Sequence, residues 1–349
     1  MGFSTLTKRP QVKLRDVAEA AGVAVGTVSR VLNANPTVTA EVRRKVQAAI
    51  DAMGYEMDVV AQSMRGGTTK MVACAIRDFD IPQFAIYIKE AERIFRENGY
   101  TLLLSSTTNS PDVEIGLLRA FARRRVDGIM MTVSDEAHPG VARALSESTA
   151  PVLLIDRDHI DTLDRVTVDH YGGAKTAVEH LLRMGHRRIA LLVGDIKAFP
   201  SRSREAGFRD AFATFAAGIE PDLVRERVLG QEDAFRETMS LMSLPTPPTA
   251  LFVAAMDTLG GSLRALRALG RQIGGDVSLV AGSDSDLAEL YTPGVTAIRW
   301  DLAEMGRHAA TMLLERMRGQ APAAPRALKL PTTLVIRQSS TSPAAKDLN

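Results

Sequence analysis

A chain of 349 residues with 45% hydrophobic content is long enough for at least two folded units with ordinary globular cores. Its opening residues contain no apolar run of the length that a secretory signal needs, and no later segment approaches a membrane span, so a cytoplasmic protein without a membrane partner is expected. The single cysteine, Cys74, excludes a disulfide within the chain, and its apolar surroundings "MVACAI" predict a buried, inert thiol.

The formal net charge of +2 is unevenly distributed, because residues 1–70 carry 10 Lys and Arg against 6 Asp and Glu. A small basic unit followed by a slightly acidic remainder is typical of a nucleic-acid-binding head. A solvated charged face is the alternative explanation for so small an excess.

Two short helices joined by a turn at Gly22 are predicted in "VKLRDVAEAAGVAVGTVSRVLN", residues 12–33. A third helix is predicted to start near Thr39 and to end at Gly54. Apolar residues recur at helical spacing in all three segments: Leu14, Val17, Ala18 and Ala21, then Val28, Val31 and Leu32, then Val42, Val46, Ile50 and Met53. Three such helices can cover one another's apolar faces, which predicts a small three-helix head.

The outer face of the second helix is left free by this arrangement, and a helix of this size fits the major groove of DNA. The predicted DNA-contacting residues on it are Val25, Gly26, Thr27, Ser29, Arg30 and Asn33. A three-helix bundle without a DNA partner is the alternative for the same pattern.

The strings "LRDVAEAAGVAVGTVSRVLN" and "VTAEVRRKVQAAIDAMGY" resemble the DNA-binding head of the lactose-repressor/galactose-repressor family. The resemblance continues through "VDGIMM", "PVLLIDR", "VTVDHYGGAKTAVEHLLRMGHRRIALL", "REAGFRDAF" and "DVSLVAG", from about residue 12 to residue 337. It implies a ligand-controlled transcription factor, most simply a homodimeric repressor on a pseudo-palindromic double-stranded operator.

The recognition helix departs from the usual residue types of the family. Ala24 stands where a capping Ser is common, which costs about 0.5 to 2 kcal/mol of helix stability. Val25 offers only an apolar contact to a thymine methyl, and Gly26 offers no side chain. Arg30 is therefore the best remaining group for a guanine or a phosphate, whereas Thr27, Ser29 and Asn33 suit phosphates.

The segment "DVVAQSMRGGTTK" resembles the hinge helix of the family, in which paired apolar side chains wedge into the minor groove. Met64 stands at the wedge position, where Leu is common, and a thioether chain can unstack a base step in the same way. An ordinary interdomain linker is the alternative.

From Met71 onward, short apolar runs alternate with segments of helical periodicity, which predicts buried parallel strands in doubly wound α/β sheets. The runs are "MVACAI", "TLLLSS", "GIMMTV", "PVLLID", "IALLVG", "ALFVAA" and "VSLVAG". The resemblance implies the two-lobed periplasmic-binding-protein-like architecture. The expected organisation is a helix-turn-helix head at 12–57, a hinge helix and linker at 58–69, a core at 70–338 and a tail at 339–349. Within the core, the N-lobe is expected at about 70–167 and 300–328, and the C-lobe at about 168–299 and 329–338.

Polar residues follow the predicted strands at Asp78, Ser134, Asp156, Asp195, Ser283 and Asp284, and the ends of parallel strands converge on one cleft. Each carboxylate could instead cap the next helix. The resemblance gives Asp156 the role of an inner-pocket acid and Arg204 that of the arginine that grips the effector, with Phe84 and Trp300 placed to stack on it. The candidate effector-binding residues are Phe84, Asp156, Arg204, Ser283, Asp284 and Trp300.

Two departures from the family pattern concern the identity of the ligand. Ala255 and Met256 replace the usual Asn and Asp after a C-lobe strand, and Ser283 replaces an Asp that often holds ligand hydroxyls. We expect a pocket with two fewer hydrogen-bonding groups. The effector is accordingly predicted to be less hydroxylated than a free hexose, such as a sugar acid or another small carboxylate held by Arg204.

Catalysis is poorly supported, since the sequence lacks GxSxG, HExxH and GxGxxG motifs, and its six histidines lack metal-ligand spacing. No metal and no cofactor are expected. The rival functions are a constitutive DNA-binding protein without effector control and an enzyme that processes a sugar or nucleoside. The tail "RQSSTSPAAKDLN" contains no apolar heptads, which favours a dimer over a tetramer.

Overall fold

The computed structural model describes residues 12–32, 35–55 and 68–343. The chain divides into two compact units, Met1–Thr69 and Lys70–Asn349. The predicted hinge helix and wedge residue Met64, the contact residue Asn33 and the end of the predicted tail (344–349) lie outside the described residues.

The first unit contains the three predicted helices, α1 (Leu14–Ala21), α2 (Val25–Leu32) and α3 (Ala40–Met53). Gly22 and Gly54 end α1 and α3 in the left-handed conformation that glycine adopts without strain. Thr39 caps α3 by accepting a hydrogen bond from the Val42 amide. The core of the head is small and consists of Val17, Ala18, Val28, Val31, Val46 and Ala49. The predicted helix boundaries and the predicted apolar face are confirmed.

The second unit contains two six-stranded sheets, which define an N-lobe and a C-lobe. The strand order is β11-β5-β4-β3-β1-β2 in the N-lobe and β12-β10-β9-β8-β6-β7 in the C-lobe, and the strands of each sheet pair in parallel except for antiparallel β12. The strands are β1 (Met71–Ile76), β2 (Thr101–Ser106), β3 (Gly128–Met131), β4 (Val152–Ile155), β5 (Asp164–Val168), β6 (Ile189–Leu192), β7 (Val224–Arg225), β8 (Ala250–Val253), β9 (Ser278–Ala281), β10 (Thr296–Arg299), β11 (Ala327–Leu330) and β12 (Thr333–Val335).

Helices cover these sheets, as the alternating pattern predicted. They are α4 (Pro82–Glu97), α5 (Pro111–Arg124), α6 (Pro139–Ser146), α7 (His170–Arg183), α8 (Phe199–Thr214), α9 (Gln231–Met242), α10 (Leu259–Ala268), α11 (Asp286–Leu290) and α12 (Leu302–Met317). One face of α7 is fully buried and consists of Ala174, Ala177, Val178, Leu181 and Leu182. No helix in the described part of the chain is both long and apolar enough to cross a membrane.

All seven predicted strands are present, but β2 corrects the expectation that each is buried. It lies at the edge of the N-lobe sheet, and Leu104 is 44% exposed. An edge strand has a neighbour on one side only, so an apolar run does not by itself guarantee burial. Cys74 in the central strand β1 is buried, and burial raises the pKa of its thiol to about 12, which keeps it protonated and inert.

The predicted boundary between core and tail at residue 339 is wrong, because the chain continues to pack on the C-lobe beyond it. Ser339 is 0% exposed, and its hydroxyl donates to the Leu279 carbonyl. The Thr341 carbonyl meets the ring of His186, which also contacts Thr249 and Ser278. His186 is therefore a structural residue that ties the end of the chain to the C-lobe.

A buried carboxylate, Asp164, joins β5 to the end of α12. Its oxygens accept from Arg316 Nη2 at 2.7 Å and from Arg326 Nη2 at 2.9 Å, and the Arg326 amide donates to it at 2.8 Å. Burial alone would raise the pKa of Asp164, but the hydrogen bonds from the two arginines outweigh it and lower the pKa.

The Asp164→Asn variant is expected to lower the free energy of unfolding of the core by about 1.5 kcal/mol near pH 7, because the two arginines lose an ionised acceptor. A depressed folded-state pKa contributes stability above the unfolded value of about 3.9, and this stability is lost as the pH falls through the folded value. The difference between variant and wild type should therefore shrink below about pH 4 in urea titrations. Asp161→Asn, which changes an exposed residue nearby, serves as the control. An equal loss of unfolding free energy in both variants would contradict the stabilising role of Asp164.

Candidate functional site

The outer face of α2 is free of packing within the head. Val25 is 43% exposed, and Gly26 and Arg30 are also exposed, whereas Thr27 and Ser29 are half-buried. A methyl group at Gly26 would meet no atom within 4 Å, so packing of the head does not require glycine there. The structure therefore places five of the predicted DNA-contacting residues on an available helix surface.

Backbone hydrogen bonds, rather than a side-chain cap, hold the first turn of α2. The Ala24 carbonyl accepts from the Thr27 and Val28 amides, at 2.8 and 3.3 Å, but Ala24 has no side-chain oxygen for a cap. This matches the missing cap noted in the sequence and leaves the first amides of α2 available to a phosphate.

A cavity in the second unit lies beyond the carboxyl ends of strands from both lobes. Its space is about 890 Å³ when the part open to solvent is included. The predicted residues Phe84, Asp156, Arg204 and Trp300 line it together. Ser134 and Asp195, also predicted from strand ends, share this lining, whereas Asp78 is exposed and does not line the cavity.

Asp156 is held by two contacts at the end of β4. One carboxylate oxygen accepts from the Val168 amide at 3.2 Å, and the other lies 2.7 Å from His170 Nε2. Burial alone would raise the pKa of Asp156, but His170, Arg157 and Arg204 lower it. Burial lowers the pKa of His170, so the ring is neutral at pH 7 and orients an ionised Asp156. The sequence analysis did not predict His170 as a site residue. It is the first residue of α7 and follows Asp169, which caps this helix.

Arg204 is a buried cation, only 4% exposed, on the second turn of α8. Its Nη2 donates to the Gly282 carbonyl over a long 3.4 Å, and its Nε has no partner among the described residues. Burial lowers the pKa of Arg204 to about 10, although Asp156 opposes this effect. The side chain therefore stays charged at neutral pH.

Several other polar atoms on the cavity wall have no hydrogen-bond partner within the described part of the chain. They are Tyr87 Oη, Ser134 Oγ, Trp300 Nε1 and Asp257 Oδ1. Burial raises the pKa of Tyr87, so its hydroxyl keeps its proton and can donate. Together with Arg204 Nε, the wall offers four donor groups and one atom that only accepts. Buried polar groups are rarely left unpaired, so a bound molecule with several acceptors would complete this wall.

Aromatic rings form part of the wall, as predicted for Phe84 and Trp300. Phe84 meets Tyr87 edge to face at a centroid distance of 5.7 Å. Trp300 meets His170 edge to face at 5.5 Å. The arrangement combines a cation, a carboxylate and apolar ring surfaces around one space.

Ser283 and Asp284 do not lie in this cavity, which corrects their predicted placement. They line a separate, more open depression that shares Trp300 with the cavity. Both oxygens of Asp284 are engaged, by Arg337 at 2.9 and 3.0 Å and by Arg299 at 2.6 Å. Asp284 therefore ties the end of β10 to the segment after β12.

The expected loss of hydrogen-bonding groups after β8 is only partly correct. Ala255 and Met256 line the cavity, but the next residue, Asp257, lines it as well. Asp257 Oδ2 accepts from Arg77 Nη2, which follows β1 in the other lobe, at 2.7 Å. The cavity wall thus retains a carboxylate, one position after Met256. Among the described residues, no group of three His, Cys, Asp or Glu side chains could hold a metal ion.

Comparisons with known proteins place the two units in recognised families. Residues 13–58 match the family described as bacterial regulatory proteins, lacI family, and residues 178–340 match the periplasmic binding protein-like domain. The HTH-type transcriptional repressor PurR of Haemophilus influenzae (strain PittEE) is 30% identical over 304 residues, covering 87% of this chain and 90% of PurR. The HTH-type transcriptional regulator DegA of Bacillus subtilis (strain 168) is 30% identical over 332 residues, covering 94% and 97% of the two chains.

Solved structures agree with this result. A Lac repressor dimer bound to operator and the anti-inducer ONPF superposes with a TM-score of 0.85 at 27% identity, covering 95% of this chain and 100% of that chain. A complex of the transcriptional regulator CelR with cellobiose gives a TM-score of 0.71 at 28% identity, with the same coverage. The predicted fold class is confirmed, with a helix-turn-helix head and a two-sheet periplasmic-binding-protein-like core.

Proposed function

Because this chain belongs to the lacI family of bacterial regulatory proteins, a family of DNA-binding transcriptional regulators, we propose that it acts as a homodimeric repressor whose operator affinity is set by a small acid bound in the core cavity. Each protomer would read one half of a pseudo-palindromic operator through α2. Effector binding would shift the population of core conformations and thereby change operator affinity. The similar Lac repressor forms a dimer on its operator, which supports this assembly.

The DNA-binding half of the proposal is supported by the free outer face of α2. Arg30 is exposed and makes no ion pair or side-chain hydrogen bond to a described residue, so its guanidinium is available to a guanine or a phosphate. Val25 and Gly26 offer little for base recognition. We therefore expect a modest number of base contacts, with Thr27 and Ser29 positioning the helix on phosphates.

The effector half is supported most directly by Arg204, a buried guanidinium without a carboxylate partner among the described residues. A buried charge with no carboxylate in direct contact is unfavourable even with Asp156 nearby, and an anionic ligand group would compensate it with charge-assisted hydrogen bonds. The excess of donors on the wall also favours a ligand rich in acceptors. A sugar acid or another small carboxylate meets both requirements better than a neutral hexose does.

The rival functions fit these observations less well. A constitutive DNA-binding protein would not need a cavity whose wall residues carry five polar atoms without a partner among the described residues. An enzyme would need a reactive group, whereas Asp156 and His170 hold each other in place and the relatives described above are transcriptional regulators. Turnover of a bound compound would revive the enzyme alternative.

The test is binding to a symmetric operator selected from random DNA, measured at fixed salt with and without sugar acids, neutral sugars and nucleosides. We expect one acidic compound to change operator affinity by about tenfold or more, a coupling of about 1.4 kcal/mol. The same compound should alter the fluorescence of Trp300, the single tryptophan of the chain, because this ring lines the cavity. Preference for a neutral hexose would contradict the proposal that the effector is an acid. Absence of sequence-specific DNA binding would contradict the proposal that the protein is a repressor.

A further inference from the structure

The side chain of Glu136, just after β3, connects the two lobes through its two oxygens. Oε1 accepts from the Asp158 and His159 amides of the N-lobe, at 2.7 and 3.0 Å. Oε2 accepts from the Phe199 amide at 3.0 Å and from Arg202 Nη2 at 3.3 Å, both in α8 of the C-lobe. The side chain is 1% exposed, so these contacts are shielded from water.

Glu136 also replaces a missing helix cap. The residue before α8 is Ala198, and no side chain of its own segment caps the helix. The Phe199 amide is one of the first four amides that a helix leaves unpaired, and the carboxylate of the opposite lobe accepts it. A negative charge at the amino end of a helix is favourable. Arg204, the buried cation of the cavity, lies on this same helix.

Two further ion pairs cross between the lobes close to Glu136. Lys197 Nζ lies 2.9 Å from Asp135, and Arg202 Nη2 lies 2.7 Å from Asp158. These pairs are partly exposed and contribute little individually. Glu136 differs from them because its contacts are shielded from water, so opening the lobes would replace charge-assisted hydrogen bonds to the Phe199 amide and Arg202 by bonds to water.

We infer that Glu136 is a positioning residue that holds the two lobes together and fixes the amino end of the helix that carries Arg204. Glu136 does not line the cavity, so it would not touch the ligand. Its contribution is to keep the binding-competent arrangement populated before the ligand arrives. The apparent affinity of a ligand falls in proportion to the population of the competent state, so loss of Glu136 should weaken effector binding without removing a ligand contact.

The test uses acrylamide quenching of Trp300 in the full chain without effector. Trp300 lies on the cavity wall, and the chain has no other tryptophan to obscure it. Glu136→Gln should raise the quenching constant about twofold or more, since opened lobes admit the quencher. Hydrogen exchange of the Phe199 amide should accelerate in the same variant.

Arg202→Gln and Arg209→Gln form a matched pair on α8. Arg202 contacts the opposite lobe, whereas Arg209 pairs with Glu205 of its own helix. We expect a smaller increase in quenching for Arg202→Gln and none for Arg209→Gln. If Glu136→Gln does not fold, the double variant Lys197→Gln, Arg202→Gln decides the question, because both of its side chains are partly exposed. Quenching equal to wild type in every folded variant would overturn the inference.

The link to affinity rests on the proposed function, in which this cavity holds the effector. For the acid identified by operator titration, Glu136→Gln should raise the dissociation constant about tenfold, while Arg209→Gln leaves it unchanged. The two ideas fail separately. Unchanged quenching would reject the role of Glu136 even if an effector is found, and increased quenching without any effector would reject only the proposed function.

Discussion

Replacement of Arg204 by methionine is expected to weaken binding of the acidic effector about a hundredfold or more, because truncating one partner of a buried, hydrogen-bonded charge pair costs about 2 to 5 kcal/mol. Methionine fills much of the same volume, so the cavity should keep its shape. Operator affinity without effector should stay at the wild-type value, since Arg204 lies in the core unit rather than in the head. Calorimetry for the effector and fluorescence anisotropy for the operator measure the two quantities.

Stability gives a second, independent expectation for this variant. Arg204 makes no ion pair with a described carboxylate, and its burial cost offsets its longer-range attraction to Asp156, so its removal should change the free energy of unfolding only slightly. Arg209→Met, on the exposed side of the same helix, is the matched control and should bind effector normally. Effector binding that survives in Arg204→Met would reject the charged group as the anchor of the ligand.

Replacement of Arg30 by alanine is expected to reduce affinity for the selected operator about ten- to a hundredfold, because a bidentate arginine contact to a base is worth about 1 to 3 kcal/mol. The side chain is exposed and has no role in the core of the head, so the folded state should tolerate the change. Affinity for random DNA should fall much less. The measurement is a titration of operator and random duplexes at several salt concentrations.

Lys45→Ala is the control for charge, because it also removes one cation from the head. Lys45 lies on α3, where it pairs with Glu41 at 2.9 Å, and both side chains are exposed. We expect it to change operator affinity only slightly. If Arg30→Ala lowers the affinity for operator and for random DNA equally, Arg30 contacts a phosphate and does not recognise a base. No loss on either DNA would remove Arg30 from the interface.

The local pattern of the sequence was sufficient for the elements that depend on short-range periodicity. The apolar positions of the head, the glycines that end α1 and α3, and the strands formed by the seven short apolar runs of the core were predicted correctly, apart from the burial of β2. The strands that escaped prediction are short or polar, such as β5, whose sequence "DRVTV" contains two charged residues. Periodicity is a property of neighbouring residues, so it is readable without knowledge of the fold.

Sequence by itself therefore determined the family and the two units, because each is encoded in contiguous motifs, and the family resemblance singled out Arg204 as a candidate residue of the cavity. Only the tertiary structure decided which distant groups meet. It placed Asp284 with Arg337 outside the cavity, brought Asp257 to Arg77, paired His170 with Asp156 and set Glu136 against the amino end of α8. In each of these pairs the two residues lie far apart in the chain. Their partners depend on strand order and on the direction in which each side chain leaves its element, which local sequence does not specify.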